Sequence, residues 1–418
     1  MTNEDFTPDV KMTPYWWETS PREETVNVTL PSAADVVVVR SGYTGLNAAL
    51  QMARGGRHVV VCDAEAAGWG GSTRNGGMIS TSVKPDLKTL TRRHGSDVAR
   101  QVMQDGRDSL NWIKDFVDSE SIDCDFKVVG RFHVAHNQAA FRKLTDTVIN
   151  QPAGFEVPAH VVSRDEQRTE LGTDSYHGGV VFPDHASIDP GRYHAGLLER
   201  VRAAGVTNVP YCKVTAIARD GSGFDVETGK GRIRARDVVI ATNAYSGPLS
   251  RWHQRRIIPI GSYVIATEQV PEALMNELIP KNRIISDTRR VPFYFRATPD
   301  RRRILFGGRL SINETDPRRT AAGCCARNSC GCFQSCGRPR CRIPGWVLSA
   351  IPLMSWPIRG NRTKSIMPWA TAAPAKPAFL PAPTTREIHG FWPQRSTGTG
   401  FGTGSICERC GRRNWSCS

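Results

Sequence analysis

Apolar positions come in two rhythms along the first 310 residues, and together they outline an α/β chain. Val36-Val-Val-Val39 is a short continuous apolar run suited to a strand buried on both faces. It is followed by the turn Arg40-Ser-Gly42-Tyr-Thr-Gly45, by Leu46 to Met52 with the alanine and leucine content of a packed helix, and by a second apolar run, Val59-Val-Val-Cys62. Asp97 to Glu120 repeats apolar residues at helical spacing, and Phe126 to Ala135 reads as a strand pair. Pro190 to Ala204 predicts a helix with proline near its start and Gly205 at its end. Val214–Ile217, Gly223–Glu227 and Arg232–Asp237 read as short strands joined by turns, and Val291–Arg296 with Ile304–Gly308 as a hairpin across Thr298-Pro-Asp-Arg301.

The opening strand, turn, helix and strand form a dinucleotide-binding pattern. A helix N-terminus offers unpaired N–H groups to a pyrophosphate, and Asp63, ending the second strand, stands where a ribose diol would find its acceptor. In G-x-G-x-x-G the first glycine makes the turn after the strand. Here Arg40 holds that place, with Gly42 and Gly45 in the other two. An α/β crossover without a ligand is the alternative. The loop Ala67-Gly-Trp-Gly-Gly-Ser72-Thr-Arg-Asn-Gly-Gly77-Met78 is too rich in glycine and small hydroxyl residues for a helix, and it can wrap a large planar cofactor closely.

Tyr15-Trp-Trp-Glu18, Gly42-Tyr-Thr-Gly45, Gly68-Trp-Gly70, Ser72-Thr-Arg-Asn-Gly-Gly77, Gly178-Gly-Val-Val-Phe-Pro183, Asp189-Pro-Gly-Arg-Tyr-His194 and Val238-Val-Ile-Ala-Thr-Asn-Ala-Tyr245 together resemble the FAD-dependent oxidoreductases of the D-amino-acid-oxidase type, in particular their gamma-glutamylputrescine-oxidising branch. The resemblance runs over about residues 13 to 317. It implies an α/β fold: a three-layer, Rossmann-like FAD-binding domain with an interleaved α+β substrate domain. The expected division is an arm over 1–32, FAD domain over 33–110 and 158–250, substrate domain over 111–157 and 251–317, and a tail over 318–418. The resemblance also implies FAD contacts from Ser41, Gly42, Tyr43, Thr44, Gly45, Asp63, Ala64, Ser72, Thr73, Arg74, Asn75, Gly76, Gly77, Met78, Val214 (through its backbone), Ala241, Thr242 and Asn243. The implied reaction is hydride transfer from the carbon beside a small-molecule amine to flavin, followed by imine hydrolysis, with oxygen or another electron acceptor. Tyr263, Tyr294 and Arg296 are substrate-domain candidates, equally readable as packing residues, and no residue is assigned a catalytic role. A nicotinamide-dependent dehydrogenase is the rival on the same opening fold, disfavoured by the Ser72–Gly77 loop.

Composition changes the picture only beyond Pro317. Of the 40 acidic residues only Glu387 and Glu408 lie there, against 15 of the 55 Lys and Arg, so the tail carries most of the +15 net charge. Nine of the 12 cysteines are there too. Cysteine and arginine clusters could form a zinc or nucleic-acid module, but the spacing lacks a repeated C-x2-C pair. A family C-terminus translated out of frame fits better. Joining the last base of each codon to the first two of the next permits His-Tyr-Ala-Met-Gly-Tyr-Cys-Gly from Ser365 to Ala373, and Ser-His-Ser-Trp-Met-Gly-Phe-Val within Cys341 to Met354. Such a chain would lack the segment that completes the flavin domain, and would hold FAD weakly. Cys62 and Cys124 read as small buried apolar residues, and His133, His136, His177, His185 and His194 as polar or packing residues, with no metal site expected. No stretch approaches the roughly 20 apolar residues of a membrane span, the N-terminus does not resemble a signal peptide, and a cytoplasmic enzyme that binds no nucleic acid is expected.

Overall fold

A computed structural model describes residues 11, 13–23, 27–81, 83, 86–255, 258–311 and 346–355. The chain enters through a one-turn helix α1 (Trp16–Thr19) and reaches β1 (Ala33–Val39), α2 (Tyr43–Arg54) and β2 (Val59–Cys62). Strand β1 lies parallel to β2, pairing Val36 with Val59 and Val39 with Cys62. Alternation decides which side each residue serves. Val36, Val38, Val59 and Val61 enter the core beneath the helices, whereas Val37, Val39, Val60 and Cys62 enter the core on the opposite face. Unbroken apolar runs are therefore what two covered faces require.

After the glycine-rich loop come β3 (Met78–Ile79), α3 (Leu87–His94), α4 (Ser96–Ser119), β4 (Lys127–Val128) and β5 (Arg131–Val134). Next are α5 (Gln138–Ile149), β6 (His160–Val162), β7 (Gly179–Phe182), β8 (Ala186–Ser187) and α6 (Pro190–Ala203). Asp189 caps α6 by accepting from the N–H groups of Gly191 and Arg192, with proline at the first helical position. Helices α2 and α6 share the helix-side core through Leu46, Leu50, Leu197 and Val201. Then follow β9 (Thr207–Val209), β10 (Val214–Asp220), β11 (Gly223–Thr228) and β12 (Gly231–Ile240). The first sheet has the order β10-β11-β12-β1-β2-β9, parallel from β12 to β9 and antiparallel through β10, β11 and β12. The two motifs read at 232–237 and 238–242 thus share one strand, β12, which closes a meander and lies at the sheet's centre.

The chain continues through α7 (Arg251–Gln254), β13 (Ile258–Ala266), α8 (Glu272–Leu278), β14 (Ile284–Asp287), β15 (Tyr294–Ala297), β16 (Ile304–Ser311) and β17 (Trp346–Ser355). The second sheet runs β17-β13-β16-β15-β14-β5-β7-β6, and a small third sheet β3-β8-β4 lies apart from both. Phe132, Phe295 and Phe306 from the second sheet pack with Met275 and Leu278 of α8.

Three sequence expectations change here. Strands β4 and β5 do not pair with one another: β4 joins β8, and β5 joins β7 and β14. The division assigned 158–250 to the cofactor domain, yet β6 and β7 pair in the second sheet, and α4 crosses the expected boundary at residue 110. The strand displacements come from pairings with strands remote in the chain, to which local pattern is blind. Within the tail, Trp346–Ser355 adds an edge strand beside β13, and the other tail positions, including all nine cysteines, lie outside the described residues.

The arm is fastened by one side chain. Trp16 is fully buried among Tyr15, Val264, Ala266 and Leu305, and its indole Nε1–H donates to the Asn75 carbonyl at 2.8 Å. Removing the indole opens a cavity and strands that carbonyl. Trp16→Ala is expected to destabilise the fold by roughly 3–5 kcal/mol, read as a lowered urea midpoint; an unchanged midpoint would show that the arm contributes nothing to the core.

Candidate cofactor site

The site is built where β1, β2 and β12 end together. After Val39 the backbone turns through Arg40 at φ 87°, a left-handed conformation that a side chain adopts only under strain. Ser41 is then buried, and both its N–H and its hydroxyl donate to Asp63 Oδ2, at 2.8 and 2.6 Å. Asp63 Oδ1 accepts from the Glu65 N–H at 3.1 Å. The acid that the sequence selects as a ribose acceptor therefore also clamps the turn. Gly42 precedes α2 and has no side chain of its own with which to cap it. A Cβ on Gly45 would sit 2.0 Å from the Arg40 carbonyl oxygen, so only glycine allows the helix this close to the strand.

The glycine-rich loop folds onto that turn. Ser72 Oγ accepts from the Tyr43 N–H at 3.1 Å, joining the loop to the first turn of α2. Asn75 holds the loop from within: its amide donates to the carbonyls of Ser72 and Gly71, and its Oδ1 accepts from the Gly77 N–H. Thr73 donates to the Gly68 carbonyl at 2.6 Å and accepts from the Trp17 indole at 2.8 Å. Arg74 lies over Trp69 and Trp17, with its guanidinium carbon 4.1 and 4.8 Å from the ring centres, and burial lowers its pKa to about 10. From the end of β12, beside β1, the Ala241 N–H donates to the Val39 carbonyl at 3.1 Å, and Thr242 is buried with its hydroxyl on Ser246. Asn243 is exposed, in a left-handed conformation at φ 50°.

The candidates thus fall into connected groups. Ser41–Gly45, Asp63 and Ser72–Gly77 are joined by direct hydrogen bonds. Gly76 touches the second sheet, since a Cβ there would meet the Tyr294 ring at 3.4 Å. Ala64 follows Asp63 and is partly buried, Met78 leads into β3, and Thr44 is exposed. Val214 begins β10 with its side chain in the core, and the chain just before it is tied to this corner by the Cys212 N–H donating to the Asp63 carbonyl at 2.6 Å.

Two supporting residues carry more than the sequence suggests. His194, read as a packing histidine, is fully buried under the turn. Its Nε2 lies 2.7 Å from the Ser41 carbonyl oxygen and its Nδ1 3.2 Å from Arg22 Nη1. With the guanidinium donating to Nδ1, the ring's Nε2–H donates to Ser41. Gly68 makes room for this ring, because a Cβ there would be 2.5 Å from it. Only the spacing of His194 behind the Asp189-Pro190 helix start hints at this in sequence. Arg296, a substrate-domain candidate, is buried, and its Nη1 donates to the carbonyls of Gly77 and Ile188 at 2.8 and 3.1 Å. It braces the loop. Tyr294 reaches Ser262 Oγ at 3.1 Å, and the Tyr263 side chain lies outside the described residues.

The N-terminus of α2, a glycine at position 45 with no room for a Cβ, and a buried carboxylate beside them fit a dinucleotide such as FAD. Arg40 is the one residue of the turn that does not.

The family model for FAD dependent oxidoreductases (DAO) matches residues 35–326. The gamma-glutamylputrescine oxidoreductase of Escherichia coli (strain K12) is 32% identical over 284 residues, covering 68% of this chain and 66% of that protein. A probable oxidoreductase OrdL of Rhizobium meliloti (strain 1021) is 29% identical over 310 residues, 73% of this chain and 72% of its own length. The chain therefore spans just under two thirds of the first of these relatives. Among solved structures, the L-proline dehydrogenase from P. horikoshii shares the fold with a TM-score of 0.61 at 16% identity, over 78% of this chain and 83% of that one. Glycine oxidase from Bacillus cereus does so with a TM-score of 0.59 at 16% identity, over 77% and 83%. No helix among the described residues is long and apolar enough to cross a membrane.

The buried histidines make the fold acid-sensitive. Burial pushes His194 down to about 3 from 6.5, with Arg22 adding to the shift, and His185, stacked on Phe182, also to about 3. The unfolded chain then binds these protons more readily than the folded one. Their contribution is complete above about pH 6.5 and is lost as pH falls from there towards 3. Between about pH 7 and pH 5 each is expected to remove roughly 2 kcal/mol, with a smaller loss in His194→Gln; a urea midpoint constant over that range would contradict it.

Proposed function

Because the chain belongs to the FAD dependent oxidoreductase (DAO) family, we propose that it oxidises a carbon–nitrogen bond of a small amine or amino acid, with a gamma-glutamylated diamine as the preferred substrate class. The observation that carries this reading is the join of Asp63, Ser41 and the Ser72–Gly77 loop around the start of α2. The relative named for gamma-glutamylputrescine supports the substrate class.

In this reading Gly42–Gly45 and the α2 N-terminus receive the pyrophosphate, Asp63 and Ala64 the ribose, the Val214 backbone the adenine, and Ser72–Met78 with Ala241–Asn243 the flavin end. When bound, FAD accepts a hydride equivalent from the carbon beside the substrate amine, leaving an imine that water hydrolyses. The protein's part is placement. Arg296 and Asn75 fix the backbone of the loop that approaches the cofactor, and Tyr294 sets the second sheet against Gly76. Oxygen or another acceptor takes the electrons, and a cytoplasmic location suits a chain of this kind.

We also infer that the sequence beyond Pro317 is the family C-terminus read out of frame, a reading supported by the family match ending at residue 326. Resequencing the codons of Gly307 to Pro374 is expected to find a base gained or lost near Pro317 to Ala321; an intact frame would refute it.

The functional reading is tested on the full chain reconstituted with excess FAD and mixed anaerobically with amines and amino acids. Loss of the oxidised flavin absorbance with a gamma-glutamylated diamine, more slowly with other amines, is expected. Reduction by none of them would contradict it. Asp63→Ala is expected to weaken FAD binding roughly 10- to 100-fold, the loss of hydrogen bonds to a charged acceptor, while an unchanged affinity would remove Asp63 from the site.

A further inference from the structure

The Arg40 side chain is only 12% exposed, although it follows directly on the end of β1. Its Nε lies 3.8 Å from Asp63 Oδ1, and its guanidinium carbon sits 4.0 Å from the centre of the Tyr245 ring. On the loop side, a Cβ on Gly70 would be 3.8 Å from the same guanidinium. One cation thus spans the end of β2, the turn after β12 and the glycine-rich loop. Those are the three segments that a dinucleotide lying across this sheet must separate or line. Among the described residues the guanidinium's partners are Asp63 and Tyr245, not the first turn of α2, so it is placed against the ribose acceptor and not as a phosphate ligand.

We propose that Arg40 is a built-in occupant of the nucleotide cleft, competing with FAD for Asp63 and for the space beside Tyr245. The proposal rests on the reading that this cleft takes FAD. Two independent observations on one residue carry it. The side chain is ion-paired, at 3.8 Å, with the carboxylate that the ribose needs, and the backbone beneath it is held at φ 87°, where glycine is at ease and arginine is not. For FAD to enter, the guanidinium must give up its ion pair and its aromatic contact and swing into solvent. The binding-competent form is then a minor one, and the apparent dissociation constant is raised by the inverse of its population. Arg74, on the other side of Trp69, remains when Arg40 leaves, so the loop keeps a cation of its own.

The test compares the full chain with its Arg40→Gly and Arg40→Ala variants in two readouts: FAD affinity by quenching of flavin fluorescence, and thermal melting without FAD. Both variants are expected to bind FAD about tenfold or more tightly than the parent, as when one molecule in ten or fewer is competent. Arg40→Gly is expected to melt above Arg40→Ala, since glycine alone removes the backbone strain. If the parent binds FAD and the variants bind it equally or more weakly, Arg40 is a cofactor ligand or a bystander and the proposal falls. If neither the parent nor a variant that melts cooperatively binds FAD, the FAD reading falls and takes this proposal with it.

Discussion

The structure turns on a buried carboxylate. Asp63 is almost fully enclosed, and it is tolerable there because each oxygen is engaged: Oδ2 by the Ser41 N–H and hydroxyl, Oδ1 by the Glu65 N–H. Its own backbone N–H donates to Val209 and its carbonyl accepts from Cys212, so one residue fastens the ends of β1, β2 and β9. Ser41 passes the constraint on, with its hydroxyl accepting from the Gly68 N–H and its carbonyl from His194. The turn, the loop and helix α6 are therefore set by one network, and an error in any member displaces the others.

Around that network the second sheet is coupled to the first through few, well-buried contacts. Arg296 reaches from β15 to the Gly77 and Ile188 carbonyls, and Trp16 inserts between β13, β16 and the Asn75 backbone. Glycine is needed where partners already touch: a Cβ on Gly77 would lie 2.1 Å from the Ile188 oxygen, and, within the second sheet, one on Gly307 would lie 2.2 Å from the ring of its cross-strand partner Tyr294. The Trp17, Arg74, Trp69, Tyr245 and Arg40 side chains form a contiguous series, Arg74 between the two tryptophans and the Trp69 and Tyr245 rings edge to face before Arg40.

Sequence reading succeeded where a residue's role is set by neighbours in the chain. Four consecutive valines required a strand covered on both faces, and Val36 to Val39 divide between two cores. The places of Gly42 before α2, of Gly45 in its first turn and of Asp63 just after β2 followed from turn and strand-end geometry. It failed where partners are remote. Nothing around Lys127 or Phe132 tells that β4 and β5 belong to different sheets, nor that β6 and β7 return to the second sheet after α5. His194 looked like any helical histidine because its acceptor, the Ser41 carbonyl, lies 153 residues away. Arg40 was visible as a broken motif, but the direction of its side chain depends on Tyr245, which no local pattern connects to it.

The central claim is that the segments around Ser41, Asp63, Ser72–Gly77 and Ala241–Tyr245 form one FAD cleft. Amide hydrogen exchange of the full chain with and without saturating FAD tests it most directly. Slowed exchange in all four segments together, with the second sheet far from them unchanged, is the predicted result. Protection confined to other parts of the chain, or none at a saturating concentration, would contradict it.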